Sequence, residues 1–191
     1  MYSAQASPAL RLMDVAPNFE VDSTDGQIDF HAWKKNSWAV LFSHPKDFTP
    51  VCTTELGTVC KIKEDFDKRG VKVIGLSCDS VESHNSWIKD IEETQNTKMS
   101  FPLIADSDEK VAELYGMLMP EEEFNMVLIR SCYVIDHNNK IRLTINYPPS
   151  TGRNFDELLR AIDSLQLTDK HKVATPANWK SGDDCIILPT V

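Results

Sequence analysis

Residues 38–68 read WAVLFSHPKDFTPVCTTELGTVCKIKEDFDK: an apolar run, a proline-punctuated loop and a helical repeat in immediate succession. Val40-Leu41-Phe42, with Trp38 at its start, has the length and composition of a short buried strand. Pro45 and Pro50 punctuate the loop that follows. From about Val51 to Lys68, Leu56, Val59, Ile62 and Phe66 recur at spacings of three and four, the period of a helix with one apolar face. Arg69-Gly70 stops it. Val71 to Cys78, rich in β-branched residues, then reads as a second buried strand.

Working outward, Ser80 has the character of an N-cap. The helix after it places Val81, His84, Trp87, Ile88 and Ile91 on one face. Phe101 to Ala105 is a short strand. Asp106 or Ser107 caps a further helix carrying Val111, Leu114 and Tyr115, which Gly116 ends. Val127 to Ile135 is a long apolar run, and His137-Asn138-Asn139-Lys140 a turn. Ile141, Leu143, Ile145 and Tyr147 alternate with Arg142, Thr144 and Asn146, as in a strand with one wet face, hairpin-paired to the run before it. Asn154, with Glu157 three residues on, opens a last helix striped by Phe155, Leu158, Leu159, Ile162 and Leu165. The expected class is α/β, a mixed β-sheet flanked by helices. After Leu167 the composition turns to Thr, Asp, Lys, His, Pro and Gly. The expected organisation is one domain over residues 1–167 and an extended C-terminal arm over 168–191, in which Ile186-Ile187-Leu188 needs something to pack against.

The 191 residues are 41% hydrophobic and 26% charged, enough to build a core within an ordinary soluble balance. No apolar run approaches the roughly 20 residues that span a bilayer. Met1 to Gln5 has no basic-then-apolar pattern of a secretory signal, so the expected location is cytoplasmic. A net charge of −9 without a basic stripe argues against nucleic acid.

Five cysteines are present: Cys52, Cys60, Cys78, Cys132 and Cys185. No Cys-x-x-Cys pair occurs, which speaks against structural zinc. Free cysteine is ordinarily a small buried apolar residue. Cys52 differs in lying at a helix start just after a strand, where unpaired N–H groups and the positive helix end favour thiolate, the reactive form. Thr49, three residues earlier, offers a hydroxyl that both donates and accepts, as a bound peroxide requires.

The string His44-Pro45-x-x-Phe48-Thr49-Pro50-Val51-Cys52-Thr53-Thr54-Glu55 resembles the peroxiredoxin active-site motif, whose essential form is Pro-x-x-x-Thr-x-x-Cys. Leu76-Ser77-x-Asp79-Ser80, Phe101-Pro102-Leu103-Ile104-Ala105-Asp106 and Tyr147-Pro148-x-x-Thr151-Gly152-Arg153-Asn154-Phe155 agree with it, so the likeness runs from about Leu12 to Thr190. His44 before the proline and Thr175-Pro176-Ala177-Asn178-Trp179-Lys180-x-Gly182-Asp183 resemble the one-cysteine class. The Val-Cys-Pro context of a second, resolving thiol is absent. Cys185 lies in Asp184-Cys185-Ile186 instead, and Cys60 is about 12 Å of helical rise from Cys52. Members of this class often continue beyond the Leu188-Pro189-Thr190 position, whereas this chain stops at Val191.

The resemblance implies a thioredoxin-like fold and a thiol peroxidase that reduces hydrogen peroxide and organic hydroperoxides through a Cys52 sulfenic acid. It implies that Cys52 is the nucleophile, that Pro45 shields it, that Thr49 binds the peroxide and that Arg130 faces the thiolate. An always-charged guanidinium suits that task. Glu55 and Arg153 match the pair that orients this arginine, and His44 lines the pocket. No metal or flavin is implied. The reductant is expected to be external, glutathione or a thioredoxin-like protein, and the partner a second copy joined through the Ile141–Tyr147 edge. Two other functions compete with this one. One is a redox-regulated chaperone or signalling protein. The other is an added phospholipase A2 activity, whose Gly-x-Ser-x-Gly position here reads Lys35-Asn36-Ser37-Trp38-Ala39 without its glycines, with His31 kept and Asn138 at the aspartate position.

Overall fold

The computed structural model describes residues 10–122 and 125–189; the readings of Met1–Gln5 and of Thr190 lie outside these. The chain forms β1 (Glu20–Ser23), β2 (Gly26–Asp29), α1 (Phe30–Lys34), β3 (Trp38–Ser43), α2 (Pro50–Lys61), α3 (Lys63–Lys68), β4 (Val71–Ser77), α4 (Val81–Gln95), β5 (Leu103–Ala105) and α5 (Lys110–Leu114). There follow β6 (Leu118–Glu122), β7 (Asn125–Leu128), β8 (Arg130–Ile135), β9 (Ile141–Tyr147), α6 (Phe155–Lys170), β10 (Val173–Ala174) and β11 (Ile186–Ile187). Contacts divide it into two units that meet between Arg153 and Asn154.

The first unit is built on a seven-stranded sheet in the order β2-β1-β5-β4-β3-β8-β9. β3, β4 and β5 pair in parallel, and the strands on either side of them pair antiparallel, so the sheet is mixed as expected. β3 is buried along its whole length, as its unbroken apolar run requires. Alternate residues serve opposite faces. Ala39, Leu41, Ile74, Leu76, Ile104, Tyr133 and Ile135 join one large core with Phe19, Phe30 and Tyr115. Val40, Phe42, Val73 and Leu103 are buried on the other face. There Gly75 earns its place, because a Cβ on it would stand 2.7 Å from Leu103 Cδ2.

Several expected elements are shifted or divided. The helix expected over 51–68 is two helices, since Ile62, with ψ of 11°, leaves the helical region and the ladder restarts. The apolar run 127–135 is two strands. Leu128 belongs to the β6–β7 hairpin, while Ile129 N–H donates to the Met117 carbonyl and Arg130 enters the main sheet. A continuous run of apolar residues carries no mark of a change of partner. Cys78 falls just past β4 and is half-buried rather than in a strand core. The residue before α5 is Glu109, at φ of 59°. The carboxylate of Asp106 nevertheless does the capping work, accepting from Val111 N–H at 3.0 Å and Ala112 N–H at 2.7 Å. Of the apolar face of β9 only Ile141 is fully buried, because β9 is the last strand of the sheet.

In the second unit Asn154 caps α6, its side chain accepting from Asp156 and Glu157 N–H, whereas the Glu157 carboxylate turns to Arg160. After α6, β10 and β11 form a two-stranded antiparallel ribbon. Trp179 is buried and donates through Nε1 to the Asp183 carbonyl, so the arm has its own small anchor. Ile186, Ile187 and Leu188 are exposed.

Candidate active site

Thr49 is the N-cap of α2 and Pro50 its first residue, so Cys52 occupies the first turn with its sulfur wholly buried. Proline suits that position because the first N–H of a helix has no partner to lose. The loop from Ser43 to Thr49 carries Pro45 and Thr49, both half-buried. The Thr49 hydroxyl donates to the Lys46 carbonyl at 2.8 Å. Its proton is thereby committed, and toward a ligand its oxygen is left to accept.

Arg130, the first residue of β8, lies 78 residues away in sequence and is 2% exposed. Its Nη1–H donates to Cys52 Sγ at 3.3 Å and to Glu55 Oε2 at 2.7 Å. Its Nε and Nη2 both donate to the Pro149 carbonyl, at 2.9 and 2.7 Å. The guanidinium is therefore held from two sides, by Glu55 and by the Pro149 carbonyl, and its remaining contact is the sulfur. Glu55 is one turn beyond Cys52 on α2, on the same helix face. Its second oxygen accepts from the backbone N–H of Arg153 at 2.7 Å and from Arg153 Nε at 3.0 Å; Arg153 Nη2 donates to Oε2 at 2.8 Å. Arg153 is fixed in turn by the Ser131 carbonyl and lies over the Phe42 ring. Burial pushes the Glu55 carboxyl up. The hydrogen bonds and charge of Arg153, and then the charge of Arg130, outweigh it and hold the carboxyl below its ordinary range.

Cys52, Arg130, Glu55 and Arg153 are thus brought into one bonded cluster, while Pro45 and Thr49 stand on the loop that leads into it. His44 is fully buried, donates through Nε2 to Asp47 Oδ1 at 2.9 Å and packs on Trp87, with ring centroids 5.0 Å apart. All five cysteines are free. Burial raises the thiols of Cys60 to about 11 and of Cys132 to about 12. Burial together with the carboxylates of Asp106, Glu109 and Asp79 raises Cys78 to about 12. Of these cysteines, the arginine donates to Cys52.

Residues 12–144 match the model of the AhpC/TSA family, and residues 164–191 match the C-terminal domain of 1-Cys peroxiredoxin. The chain belongs to the peroxiredoxins of the AhpC/TSA family. A 1-Cys peroxiredoxin of Dictyostelium discoideum is 54% identical over 182 residues, covering 95% of this chain and 75% of that protein. The crystal structure of a cysteine-to-serine mutant of peroxiredoxin 6 from Arenicola marina superposes with a TM-score of 0.91 at 49% identity, over 95% of this chain and 84% of that one. A yeast mitochondrial 1-Cys peroxiredoxin, solved to explain its thiol resolution through glutathione and thioredoxin systems, gives a TM-score of 0.87 at 50% identity, over 93% of this chain and 86% of that one. The fold is therefore thioredoxin-like and the enzyme a thiol peroxidase, as the resemblance implied.

The phospholipase reading finds no geometric support. His31 Nε2 meets the Ala16 carbonyl at 2.8 Å, and Asn138 Nδ2 meets His137. The buried Lys34 Nζ donates to the carbonyls of Lys35, Ser37 and Asp136, which pins the backbone of the turn that carries Ser37. Two further residues of this peroxiredoxin's site went unread in the sequence. Asp47 is buried between the rings of His44 and His84. Ligand atoms of these three residues lie within 4.8 Å of one another, the one such group among the described residues, and the carboxylate ties both rings by hydrogen bonds. The sequence signal for His84 was a titratable ring on the apolar face of a helix; for Asp47 there was none.

Replacing Arg130 by Met should slow oxidation of Cys52 by hydrogen peroxide about 100- to 1000-fold, the range for losing one preorganised donor to developing charge. Rapid-quench mass spectrometry would check it, and an unchanged rate would exclude the arginine from the reaction. A second expectation concerns acid. Because Glu55 titrates lower in the folded chain, its contribution is complete above the unfolded carboxylate value of about 4 and is lost as pH falls toward the folded value. Urea midpoints should drop over that window, and the Glu55→Gln variant should lack that part of the slope.

Proposed function

We propose that this peroxiredoxin reduces hydrogen peroxide and organic hydroperoxides with Cys52 as its sole redox thiol and with an external thiol as reductant. The observation that carries the reading is the Arg130 guanidinium 3.3 Å from the Cys52 sulfur. In the first step the Cys52 thiolate attacks the nearer peroxide oxygen. The S–O bond forms, the O–O bond breaks, and the departing oxygen takes a proton to leave as water or alcohol. Cys52 is oxidised to sulfenic acid, and further peroxide carries it to sulfinic acid. Arg130 stabilises negative charge on sulfur before the attack and on the departing oxygen during it. Thr49, with its own proton donated to the Lys46 carbonyl, accepts a hydrogen bond from the O–H of the incoming hydroperoxide. Pro45, in the same loop, keeps water from the sulfur, and Glu55 and Arg153 orient Arg130.

A thiol then attacks the sulfenic sulfur to give a mixed disulfide and water, and a second thiol releases Cys52. Support for an external reductant comes from the absence of a Val-Cys-Pro thiol, from the raised thiols of Cys60, Cys78 and Cys132, and from the thiol systems that serve the yeast relative. No metal or flavin enters these steps. Among the described residues no helix is long and apolar enough to cross a membrane. A cytoplasmic site of action fits five unpaired cysteines. A homodimer formed through β9 fits a last strand whose Leu143, Ile145 and Tyr147 are only half-buried.

The Cys52→Ser variant should lose hydroperoxide consumption entirely; consumption at the wild-type rate would overturn the assignment. One equivalent of peroxide followed by glutathione should leave a glutathione adduct on Cys52 in the mass spectrum, and an internal Cys52–Cys185 disulfide would overturn the single-thiol reading. Sedimentation velocity should show a dimer that Ile145→Lys shifts toward monomer.

A further inference from the structure

Outside the arginine cluster, three side chains converge on one buried point. His44 and Asp47 lie in the loop before α2, and His84 lies in the first turn of α4. His44 Nε2 stands 2.9 Å from Asp47 Oδ1, and His84 Nδ1 stands 2.7 Å from Asp47 Oδ2. All three residues are buried, and one ligand atom from each lies within 4.8 Å of the others. The Ser83 hydroxyl, 2.8 Å from Oδ2, brings a further oxygen to the same point.

The rings are presented as ligands are. His84 Nε2 faces the Ile104 carbonyl at 3.0 Å. A carbonyl only accepts, so that nitrogen carries a proton, and Nδ1 is the ring atom left to coordinate. A metal-bound histidine is ordinarily fixed in this way, with its other N–H on a backbone carbonyl. His44 is held by its Nε2 contact and by packing on Trp87, while its Nδ1 is buried with no hydrogen-bond partner among the described residues. Shifting that ring therefore breaks no second bond. A zinc-sized cation about 2 Å from each ligand atom sets neighbouring ligand atoms roughly 3.3 Å apart in a tetrahedral site, so a cation fits once the rings withdraw by about half an ångström. Charge favours the exchange. Asp79 Oδ2 accepts from the Asp47 backbone N–H at 2.9 Å, which sets a second carboxylate beside the group. With both rings neutral, Asp47 and Asp79 leave two negative charges there, and a divalent cation cancels them.

We propose that His44, Asp47 and His84 form a binding site for a borderline divalent cation such as Zn2+, which ties the loop carrying Pro45 and Thr49 to α4. Two imidazoles and one carboxylate suit Zn2+, Co2+ or Ni2+, whereas Ca2+ and Mg2+ take oxygen ligands. The ligands come as His-x-x-Asp with a second histidine 37 positions after the aspartate, a spacing without the close cysteine pairs that mark structural zinc. The cation is structural and enters none of the peroxidase steps above.

The full chain, stripped with a chelator, is titrated with Co2+ as a spectroscopic stand-in for Zn2+, both in the native state and during refolding from urea. One equivalent should give the visible d–d bands of Co2+ bound by nitrogen and oxygen, without the near-ultraviolet band of sulfur ligation, and Zn2+ should displace it. His84→Gln and Asp47→Asn should each weaken the cation at least about 100-fold, and Cys185→Ser should leave its affinity unchanged. In the wild type, which needs no variant to fold, Zn2+ should slow amide exchange over residues 44–49 and 81–88 by about tenfold or more and leave residues 154–189 as they were. At a free concentration about 100 times Kd, Zn2+ should lower the unfolding constant in urea about 100-fold. A sulfur-to-cobalt band, affinity kept in both ligand variants, or exchange slowed only around Cys185 would place the cation elsewhere and overturn the site. Absence of bands by either route would reduce the three residues to a hydrogen-bonded cluster and overturn it as well.

Discussion

Everything around the Cys52 sulfur depends on one buried carboxylate shared between two guanidinium groups. Glu55 takes Nη1 of Arg130 on one oxygen and Arg153 on both. Those bonds join α2, β8 and the segment that precedes α6, three stretches far apart in sequence. A single hydrogen bond would leave Arg130 free to rotate. Glu55 on one side and the Pro149 carbonyl on the other leave its planar fork one orientation, with Nη1 on the Cys52 sulfur.

The cost of burying such charges explains why they come as a set. With Cys52 as thiolate, two cations face two anions and the cluster sums to zero. Removing any member leaves a charge in the interior, which is far more expensive than never having buried the pair. In the loop beyond, the buried Asp47 carboxylate is likewise never left bare, since it accepts from both His44 and His84. Two bonded clusters thus flank the segment that carries Pro45 and Thr49, one holding Arg130 against the Cys52 sulfur and the other holding the loop.

Local pattern and tertiary bonding contributed unequally to what could be read in advance. β3, α2 and β4 follow from apolar periodicity, and Ser80 and Asn154 cap the helices their side chains suggest. The missed boundaries lie where a continuous pattern conceals a change of partner, as at Ile129, or where one residue leaves the helical region inside a good repeat, as at Ile62. Arg130 stands as a charge within an apolar run and so requires a buried partner, and only the resemblance named Cys52 as that partner. Asp47 gave no warning, because an aspartate in a polar loop reads as solvated unless two histidines are known to close over it.

By itself the sequence determined the class of fold, the helix-start position of Cys52 and, through the resemblance carried by the string from His44 to Glu55, the family. These are short-range properties, encoded within one turn of helix or one strand and so visible in a window of residues. Tertiary structure alone decided how Arg130 meets the sulfur, at what distance, and which partners hold it there. It also decided that Asp47 and His84 pair across 37 positions of chain. Those outcomes depend on burial and on directional bonds between distant segments, and neither exists until the sheet has brought those segments together.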